Sequence, residues 1–299
     1  MYSAYKNTFA PIALFVYKRP NHLKLTIEAL IKNYLIEESE LFIFSDGPKS
    51  DKDEIQVNEV RKFIKELKGF KKIFLIERET NFGLSKSIIS GVTELVDKYG
   101  KIIVLEDDLV TSPFFVKYMN DALTYYNNID EVISIHGYMY PLNAILPETF
   151  FLRGADCWGW GTWKRAWNLF EPDGKKLLRE LEEQNLLSKF DWEGALTNVR
   201  MLKNFIKGKN DSWAIRWHAS AFLNNKLTLY PGKSLINNIG TDGLGTNVRK
   251  TNIYNTTLTS EQIEIKSIPL EENLYVRELL KIYFLSNKPL LSKLLNKII

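Results

Sequence analysis

Short apolar runs alternate with longer amphipathic stretches through the first half of the chain. The short runs, flanked by turn residues, predict buried strands at residues 11–17, 40–45, 72–77, 101–105 and 131–135. Between them, apolar residues recur at spacings of three and four and predict helices at residues 21–35, 51–67, 84–99 and 112–126. This alternation is typical of βαβ units, so the pattern predicts an α/β fold with a mostly parallel sheet flanked by helices.

The pattern changes after about residue 150. Four tryptophans lie within the Gly-containing segment 158–167, and helical patterns follow at residues 175–183, 192–207 and 212–224. A short strand is predicted at 227–230, and a polar loop rich in Gly and Asn follows at 237–247. We therefore predict one large domain over residues 1–265, divided into halves at 9–136 and 137–265, with a basic amphipathic helical tail over residues 266–299.

Composition narrows the class of protein and its compartment. The chain has 299 residues, of which 45% are hydrophobic and 25% charged, as expected of a globular protein. The net charge of +4 suits an anionic small-molecule substrate but is too small to indicate a nucleic-acid-binding protein. The single cysteine, Cys157, cannot form an intramolecular disulfide, and no signal-peptide pattern or long apolar run is found, so we expect a cytoplasmic protein.

The most informative local feature is Glu106-Asp107-Asp108, which follows directly after the predicted strand at 101–105. In open α/β sheets, ligands bind beyond the carboxyl ends of the strands. Three adjacent carboxylates repel one another, and a divalent cation relieves that repulsion. Because Mg²⁺ and Mn²⁺ combine one or two protein carboxylates with phosphate oxygens and water, the motif indicates a metal that bridges protein and diphosphate. The alternative is a solvated turn.

Polar residues also follow the other predicted strands. Tyr17 and Arg19 follow the first strand, and Arg19 can pair with a diphosphate through two parallel hydrogen bonds. Asp46 follows the second strand, where it can accept hydrogen bonds from a base or ribose or can simply shape an Asp-Gly-Pro turn. Three further candidates follow the third strand, namely Asn81, Gly83 and Lys86.

Several common enzyme signatures are missing. The chain has no G-x-G-x-x-G after the first strand and no G-x-x-x-x-G-K-[ST], which argues against dinucleotide oxidoreductases and P-loop nucleotide triphosphatases. It also has no H-E-x-x-H and no G-x-S-x-G.

The acidic motif and the polar residues at the other strand ends together resemble the nucleotide-binding half of GT-A glycosyltransferases. The similarity is carried by Tyr-Lys-Arg-Pro at 17–20, Ser-Asp-Gly-Pro at 45–48, Asn-Phe-Gly-Leu-Ser-Lys at 81–86 and, most specifically, the segment 102–123. It extends from about residue 11 to about residue 247. The chain is similar to bacterial family 2 sugar transferases and, more distantly, to the metal-dependent N-acetylglucosaminyltransferase that begins complex N-glycan branches.

This resemblance implies a GT-A, Rossmann-like fold and a bacterial glycosyltransferase that uses Mn²⁺ or Mg²⁺. The implied donor is a nucleotide diphosphate sugar, with UDP as the default and GDP or TDP as alternatives, and the implied acceptor is a glycan or lipid-linked glycan in surface polysaccharide synthesis. Residues 9–136 would bind the donor, and 137–265 would hold the acceptor and the catalytic base. By resemblance, Asp108 binds the metal, Glu106 and Asp107 serve the ribose or metal-bound water, and Arg19 and Asp46 contact the nucleoside.

The predicted catalytic base is Asp211. An inverting transferase needs a carboxylate that deprotonates the acceptor hydroxyl, and similar enzymes carry it in an Asp-x-Trp segment, matched here by Asp211-Ser212-Trp213. The alternative role of Asp211 is an N-cap of the following helix. Asp191 and Glu193 are the second choices for the base.

Two aromatic residues and one departure from the family pattern complete the predicted site. Trp158 and Trp160 resemble the aromatic loop that lines the sugar site, since aromatic faces stack on sugar rings. Trp163 and Trp167 fit interior packing equally well. Where relatives often end the polar loop with a His that binds metal or phosphate, this chain has Asn247, which can bind either group less strongly.

Two alternative functions stay open on the sequence alone. The chain fits a retaining transferase on the same fold or a non-catalytic carbohydrate-binding protein. A nucleotidyltransferase fits less well, because it would carry a Gly-rich basic loop after its first strand.

The amphipathic tail suits either peripheral contact with an anionic membrane, or packing against the domain or a dimer partner. His218 is predicted to be a structural residue of its helix.

Overall fold

The structure is a computed structural model that describes residues 9–243 and 251–288. Its strands are β1 (Ile12–Val16), β2 (Glu40–Ser45), β3 (Lys72–Glu77), β4 (Lys101–Glu106), β5 (Leu109–Thr111), β6 (Val132–His136), β7 (Thr149–Arg153), β8 (Trp160–Trp163), β9 (Leu227–Pro231) and β10 (Ile236–Asn238). Its helices are α1 (Pro20–Leu30), α2 (Asp51–Lys65), α3 (Leu84–Tyr99), α4 (Phe115–Tyr125), α5 (Lys164–Trp167), α6 (Gly174–Glu183), α7 (Leu187–Phe190), α8 (Asn198–Ile206), α9 (Trp213–Leu223) and α10 (Leu274–Ser286).

Eight strands form one sheet in the order β3-β2-β1-β4-β8-β6-β9-β7. The pairings of β1 with β2 and β4, of β2 with β3 and of β6 with β9 are parallel, and β7 and β8 run against their neighbours. Six strands therefore point the same way, and their carboxyl ends share one edge of the sheet. The predicted α/β class with a mostly parallel, helix-flanked sheet is confirmed. The proposed division into halves between residues 136 and 137 stays a prediction. Strands from both halves belong to the same eight-stranded sheet.

The central strands read as unbroken apolar runs because the sheet is covered on both faces. Every residue of β1 is buried, as are five of the six in β2. On the covering helix α3, a Cβ added at Gly91 would come within 2.8 Å of the Phe15 ring. Glycine at this position therefore allows α3 to lie directly on the sheet.

The sequence pattern missed four short strands and placed the start of one helix too early. Strands β5, β7, β8 and β10 were not predicted. The helix predicted at 192–207 begins only at Asn198, because Trp192 and Glu193 have φ of 48° and 49° and Gly194 has φ of 88°. These left-handed conformations cannot continue a right-handed helix.

The prediction of an aromatic loop is wrong for Trp160. It is the first residue of β8 and has 0% exposure, with its ring 5.4 Å from Trp213 and 5.8 Å from Trp167. Trp163 is also buried, and its indole N–H donates to the carbonyl oxygen of Leu123 at 2.9 Å. Trp160, Trp163 and Trp167 thus pack the interior, and a fully enclosed ring has no free face for a sugar.

We expect Trp160→Ala to lower the free energy of unfolding by ~3–5 kcal/mol, as large-to-small changes of buried aromatics do. Urea unfolding followed by far-UV circular dichroism measures this loss. Trp158→Ala is the matched control, because Trp158 is only partly buried and should cost clearly less. Equal losses in the two variants would contradict the assignment of Trp160 to the core.

The described part of the predicted tail packs on the domain. Val276 and Leu280 of α10 are buried in a cluster with Trp192. Arg277 donates two hydrogen bonds to the Glu193 carboxylate at 2.9 and 3.1 Å, and Lys281 lies 2.9 Å from the same group. Tail residues 289–299 lie outside the described residues, and peripheral membrane contact stays a prediction. Within the described part of the chain, no helix is long and apolar enough to cross a membrane.

Candidate functional site

The acidic motif lies at the carboxyl edge of the sheet, where β4 ends beside β1. Arg19, three residues beyond β1, bridges the two aspartates of the motif: its Nη2 contacts Asp107 and its Nη1 lies 2.8 Å from Asp108 Oδ2. The amide N–H of Tyr17 adds a longer hydrogen bond of 3.3 Å to Asp107. The structure therefore brings together Tyr17, Arg19 and the acids, as their positions at neighbouring strand ends predict.

Charge crowding and burial both act on this motif. Burial, followed by the charges of Asp108 and Asp107, raises the pKa of Glu106 to about 8. Burial also raises the pKa of Asp107 to about 6, although Arg19 opposes that shift. Burial alone would lower the pKa of Arg19, but the two aspartates raise it above its ordinary value. The charge of Arg19 therefore favours the ionised form of these carboxylates, whereas burial and their mutual repulsion oppose it.

A loop from the second half closes over Asp108. Strand β10 pairs with β5 directly after the acidic motif, and the amide N–H of Ile239 donates to the Asp108 carbonyl oxygen at 2.9 Å. A Cβ added at Gly240 would lie 2.0 Å from Asp108 Oδ2, so any side chain there would displace the Asp108 carboxylate. Beyond it, Asp242 lies 3.1 Å from His22 Nε2 on α1. Asn247, the predicted second metal or phosphate ligand, lies outside the described residues.

The carboxylate of Asp46 is occupied by its own surroundings, contrary to the expectation that it accepts hydrogen bonds from a base or ribose. Its Oδ1 accepts from the amides of Gly47 and Phe82, at 3.0 and 2.7 Å. Its Oδ2 accepts from the Asn81 side chain at 3.0 Å and from the Gly83 amide at 2.9 Å. These four bonds fill the acceptor positions of a carboxylate. Asp46, Asn81 and Gly83 thus build the loop before α3 together.

Tyr17 faces a second acidic residue at the same edge. Its hydroxyl donates to Asp53 at 2.9 Å and accepts from the Lys49 amide at 3.0 Å. Burial and the Asp53 hydrogen bond raise the pKa of Tyr17 to about 12. Lys18 pairs with Asp53 at 2.6 Å. Tyr17 therefore stays a protonated phenol, positioned rather than reactive.

Lys86 and Asp211, predicted for donor binding and for base catalysis, line the same cleft. The cleft of about 610 Å³ lies between α3 and the start of α9. The N-cap of α9 is Ser212, whose hydroxyl accepts from the Ile215 amide at 3.2 Å, so the alternative capping role of Asp211 is wrong. The Asp211 side chain is 72% exposed, and its nearest cation is Arg216 at 3.7 Å.

The second-choice bases have structural partners. Asp191 accepts a hydrogen bond of 2.8 Å from the Val199 amide at the start of α8. Glu193 is held by Arg277 and Lys281, and its hydrogen bond from Arg277 lowers its pKa. Both carboxylates are thus committed to packing, whereas that of Asp211 is free to contact a ligand.

Sequence reasoning overlooked several residues around β6. His136 ends β6 with 0% exposure, and its Nε2 lies 3.8 Å from Asp156 Oδ2. Tyr140 places its hydroxyl 3.4 Å from Asp156 Oδ2. Trp158, a predicted sugar-site residue, is partly buried beside this group, with its ring 4.8 Å from that of Tyr138. The signal available in the sequence was Asp156, an acidic residue two positions before Trp158 in the segment Gly-Ala-Asp-Cys-Trp.

His218 is structural, as predicted. It lies on α9 with its Nδ1 2.7 Å from the Ala155 carbonyl oxygen, and burial lowers its pKa. It therefore holds the segment that carries Asp156.

The buried imidazole of His136 gives folding a pH dependence. Burial lowers the pKa of His136 from 6.5 to about 4, and the charge of Asp156 only partly opposes this. The unfolded chain protonates this residue below about 6.5, whereas the folded chain does so only near 4. Stability should therefore fall as pH decreases through this window, by up to ~3 kcal/mol at ~1.4 kcal/mol per pKa unit.

Urea unfolding at pH 7.5 and pH 4.5 tests this expectation. The His136→Leu variant is the comparison, since it removes the titrating group and should lose less stability between the two pH values. The same pH dependence in both proteins would contradict it.

No protein-family model matches the chain, and no curated protein is similar to it in sequence. Among solved structures, a mannosyltransferase from Pyrobaculum calidifontis in complex with GDP-Man and Mn²⁺ is 11% identical, with a TM-score of 0.30 over 45% of this chain and 37% of that one. A UDP-glucose pyrophosphorylase complexed with UDP-glucose is 10% identical, with a TM-score of 0.40 over 75% of this chain and 90% of that one. The chain thus matches little more than a third of the mannosyltransferase. Likenesses this slight carry no argument about family or activity.

Proposed function

We propose that this protein is a metal-dependent glycosyltransferase that moves a sugar from a nucleotide diphosphate, with UDP favoured, to a hydroxyl of a glycan or lipid-linked glycan. The observation that carries the proposal is the Arg19 guanidinium held between Asp107 and Asp108 at the carboxyl edge of the sheet. This edge is where α/β sheets bind ligands. A buried acidic pair with an adjacent arginine suits a site that binds both a cation and a diphosphate.

The side chains fit a metal that is shared with substrate. Within residues 9–243 and 251–288, no three His, Cys, Asp or Glu side chains converge into a site that could hold a metal by themselves. Mg²⁺ and Mn²⁺ need no such set, because phosphate oxygens and water complete their coordination. Asp108 is the proposed protein ligand, since its Oδ2 faces Gly240 and its carboxylate is more exposed than that of Asp107.

The other residues then have distinct proposed roles. Arg19 can release an aspartate and pair with the donor diphosphate, for which its planar fork is suited. Asp211 accepts the proton of the acceptor hydroxyl while that oxygen bonds to the anomeric carbon and the bond from this carbon to the diphosphate breaks, with inversion. When bound, a divalent ion stabilises the charge that develops on the leaving diphosphate.

A thermal-shift screen tests the proposal. The protein is heated with Mn²⁺ and each of a panel of UDP, GDP and TDP sugars, since a ligand that binds only the folded state raises the melting temperature. We expect one nucleotide to raise it with Mn²⁺ and not with EDTA, and we expect slow metal-dependent hydrolysis of that donor. No shift with any nucleotide would overturn the proposal. A shift without hydrolysis or transfer would instead indicate a binding protein.

A further inference from the structure

A second polar group lies close to the acidic motif, on the side of the second half. Strands β4 and β8 are antiparallel with Val104 opposite Trp160, so the chain before β8 runs past the end of β4. This places residues 156–158 beside Glu106. The surroundings of Cys157 agree with this placement. Burial raises the pKa of its thiol, and the nearby charges of Asp156, Glu106 and Asp108 raise it further.

The segment that carries Asp156 is anchored on both sides. The Thr228 hydroxyl donates to the Gly154 carbonyl oxygen at 2.7 Å, and His218 Nδ1 lies 2.7 Å from that of Ala155. On the other side, the Gly137 amide donates to the Gly159 carbonyl oxygen at 2.7 Å. Asp156 is therefore held at a fixed position and is not part of a free loop.

The carboxylate of Asp156 has unused hydrogen-bonding capacity. Its Oδ1 accepts from the Cys157 amide at 2.9 Å, and the Cys157 thiol also bonds to this side chain. The contacts of its Oδ2 are long, with the Tyr140 hydroxyl at 3.4 Å and His136 Nε2 at 3.8 Å. In the described ranges, no Lys or Arg forms an ion pair with Asp156. Its side chain is 30% exposed, so a ligand can reach it.

His136 strengthens the evidence for a ligand. Both ring nitrogens are buried without a hydrogen-bond partner in the described structure, and the residue has 0% exposure. Buried polar atoms in native proteins are normally paired, so the imidazole beside the Asp156 carboxylate has capacity for a further partner, such as water or a hydroxyl group.

Aromatic rings surround this polar centre. Tyr138 contacts Tyr140 at 5.0 Å and Trp158 at 4.8 Å, and Trp158 contacts Tyr254 at 5.3 Å, all edge to face. Tyr140, Trp158 and Tyr254 are partly exposed. Aromatic faces beside a hydrogen-bonding carboxylate match the mixed apolar and hydroxylated surface of a pyranose ring.

We propose that Asp156, positioned beside His136 and Tyr140 and bordered by Trp158 and Tyr254, binds hydroxyl groups of the acceptor saccharide. As an acceptor site, this assignment rests on the proposed glycosyltransferase function. It makes the acceptor a sugar with two neighbouring free hydroxyls, which a carboxylate binds through two charge-assisted hydrogen bonds.

Saturation-transfer NMR with free saccharides tests the site. The probes are the methyl glycosides of glucose, galactose and N-acetylglucosamine at ~10 mM, which populates even a site with a millimolar Kd. Choline serves as a cationic probe, because aromatic rings with a carboxylate also suit a quaternary amine. We expect at least one glycoside to bind the wild type and Asp156→Asn to weaken it about tenfold.

Asp130→Asn is the matched control, because the Asp130 side chain is 85% exposed and its carboxylate forms only a long ion pair of 3.9 Å with Arg165. It should bind glycoside as the wild type does, and circular dichroism checks that Asp156→Asn is folded. Trp158→Leu should also weaken binding, through the loss of stacking. Failure of every glycoside to bind, binding of choline alone, or full affinity in Asp156→Asn would overturn the inference.

Nucleotide binding distinguishes a failure of the saccharide site from a failure of the proposed glycosyltransferase function. Asp156→Asn should keep the wild-type affinity for UDP with Mn²⁺ in calorimetry, since Asp156 lies outside the Arg19–Asp107–Asp108 group. Glycoside binding without any nucleotide binding would reject the transferase but leave a saccharide site. Nucleotide binding without glycoside binding would reject the saccharide site alone.

Discussion

Replacing Asp108 with alanine is expected to abolish the binding of UDP in the presence of Mn²⁺, with a loss of at least ~100-fold in affinity, or ~2.7 kcal/mol. Asp108 supplies the more exposed carboxylate of the motif, and without it a metal would depend on Asp107, which is only 4% exposed and held by Arg19 and Tyr17. Isothermal calorimetry with UDP and Mn²⁺ measures the change.

The fold of the Asp108→Ala variant should be retained. The motif lies at a strand end, and removing Asp108 also removes a charge that raises the pKa of Glu106 and Asp107. Asp97→Asn is the control. Asp97 forms an exposed ion pair with Lys164 near the carboxyl end of α3, so this substitution should leave the UDP affinity unchanged. Undiminished UDP affinity in Asp108→Ala would show that the metal assignment is wrong.

Asp211→Asn is expected to reduce sugar transfer by ~10²–10⁴-fold with little change in donor affinity, which is the usual effect of losing a general base. The amide keeps the size of the side chain but is not basic. The carboxylate of Asp211 is exposed, does not cap α9 and lines the same cleft as Lys86. Transfer from the donor identified by thermal shift, together with calorimetry of the same donor, separates the two effects.

Asp191→Asn gives the matched comparison for this experiment. Asp191 accepts a backbone hydrogen bond at the start of α8, so its substitution should affect stability more than transfer. Near-normal transfer in Asp211→Asn would refute its role as base. A large loss in Asp191→Asn at unchanged stability would then move the role to that residue.

The predicted strand ends show what local pattern can supply for a binding site. Strands β1, β2 and β4 are short apolar runs that become buried, whereas β3 at the end of the sheet is only partly buried. Because the four strands are parallel, their carboxyl ends lie at one edge of the sheet. The meeting of Arg19 with Asp107 and Asp108 follows from this arrangement. What the pattern could not reveal is which polar groups are satisfied by their neighbours. Asp46 looked like a ligand-binding residue, and four hydrogen bonds from residues 47 and 81–83 occupy it instead.

The sequence by itself determined the α/β class, the order of the first elements and the position of the acidic motif, because these depend on periodicity and on residues close together in the chain. Tertiary structure alone decided the rest. Trp160 became a core strand residue because β8 inserts between β4 and β6, and Gly240 met Asp108 because β10 pairs with β5 across more than a hundred residues. His136 and Asp156 were brought together in the same way. Contacts between distant segments depend on sheet order, and a local pattern of apolar and polar residues does not encode that order.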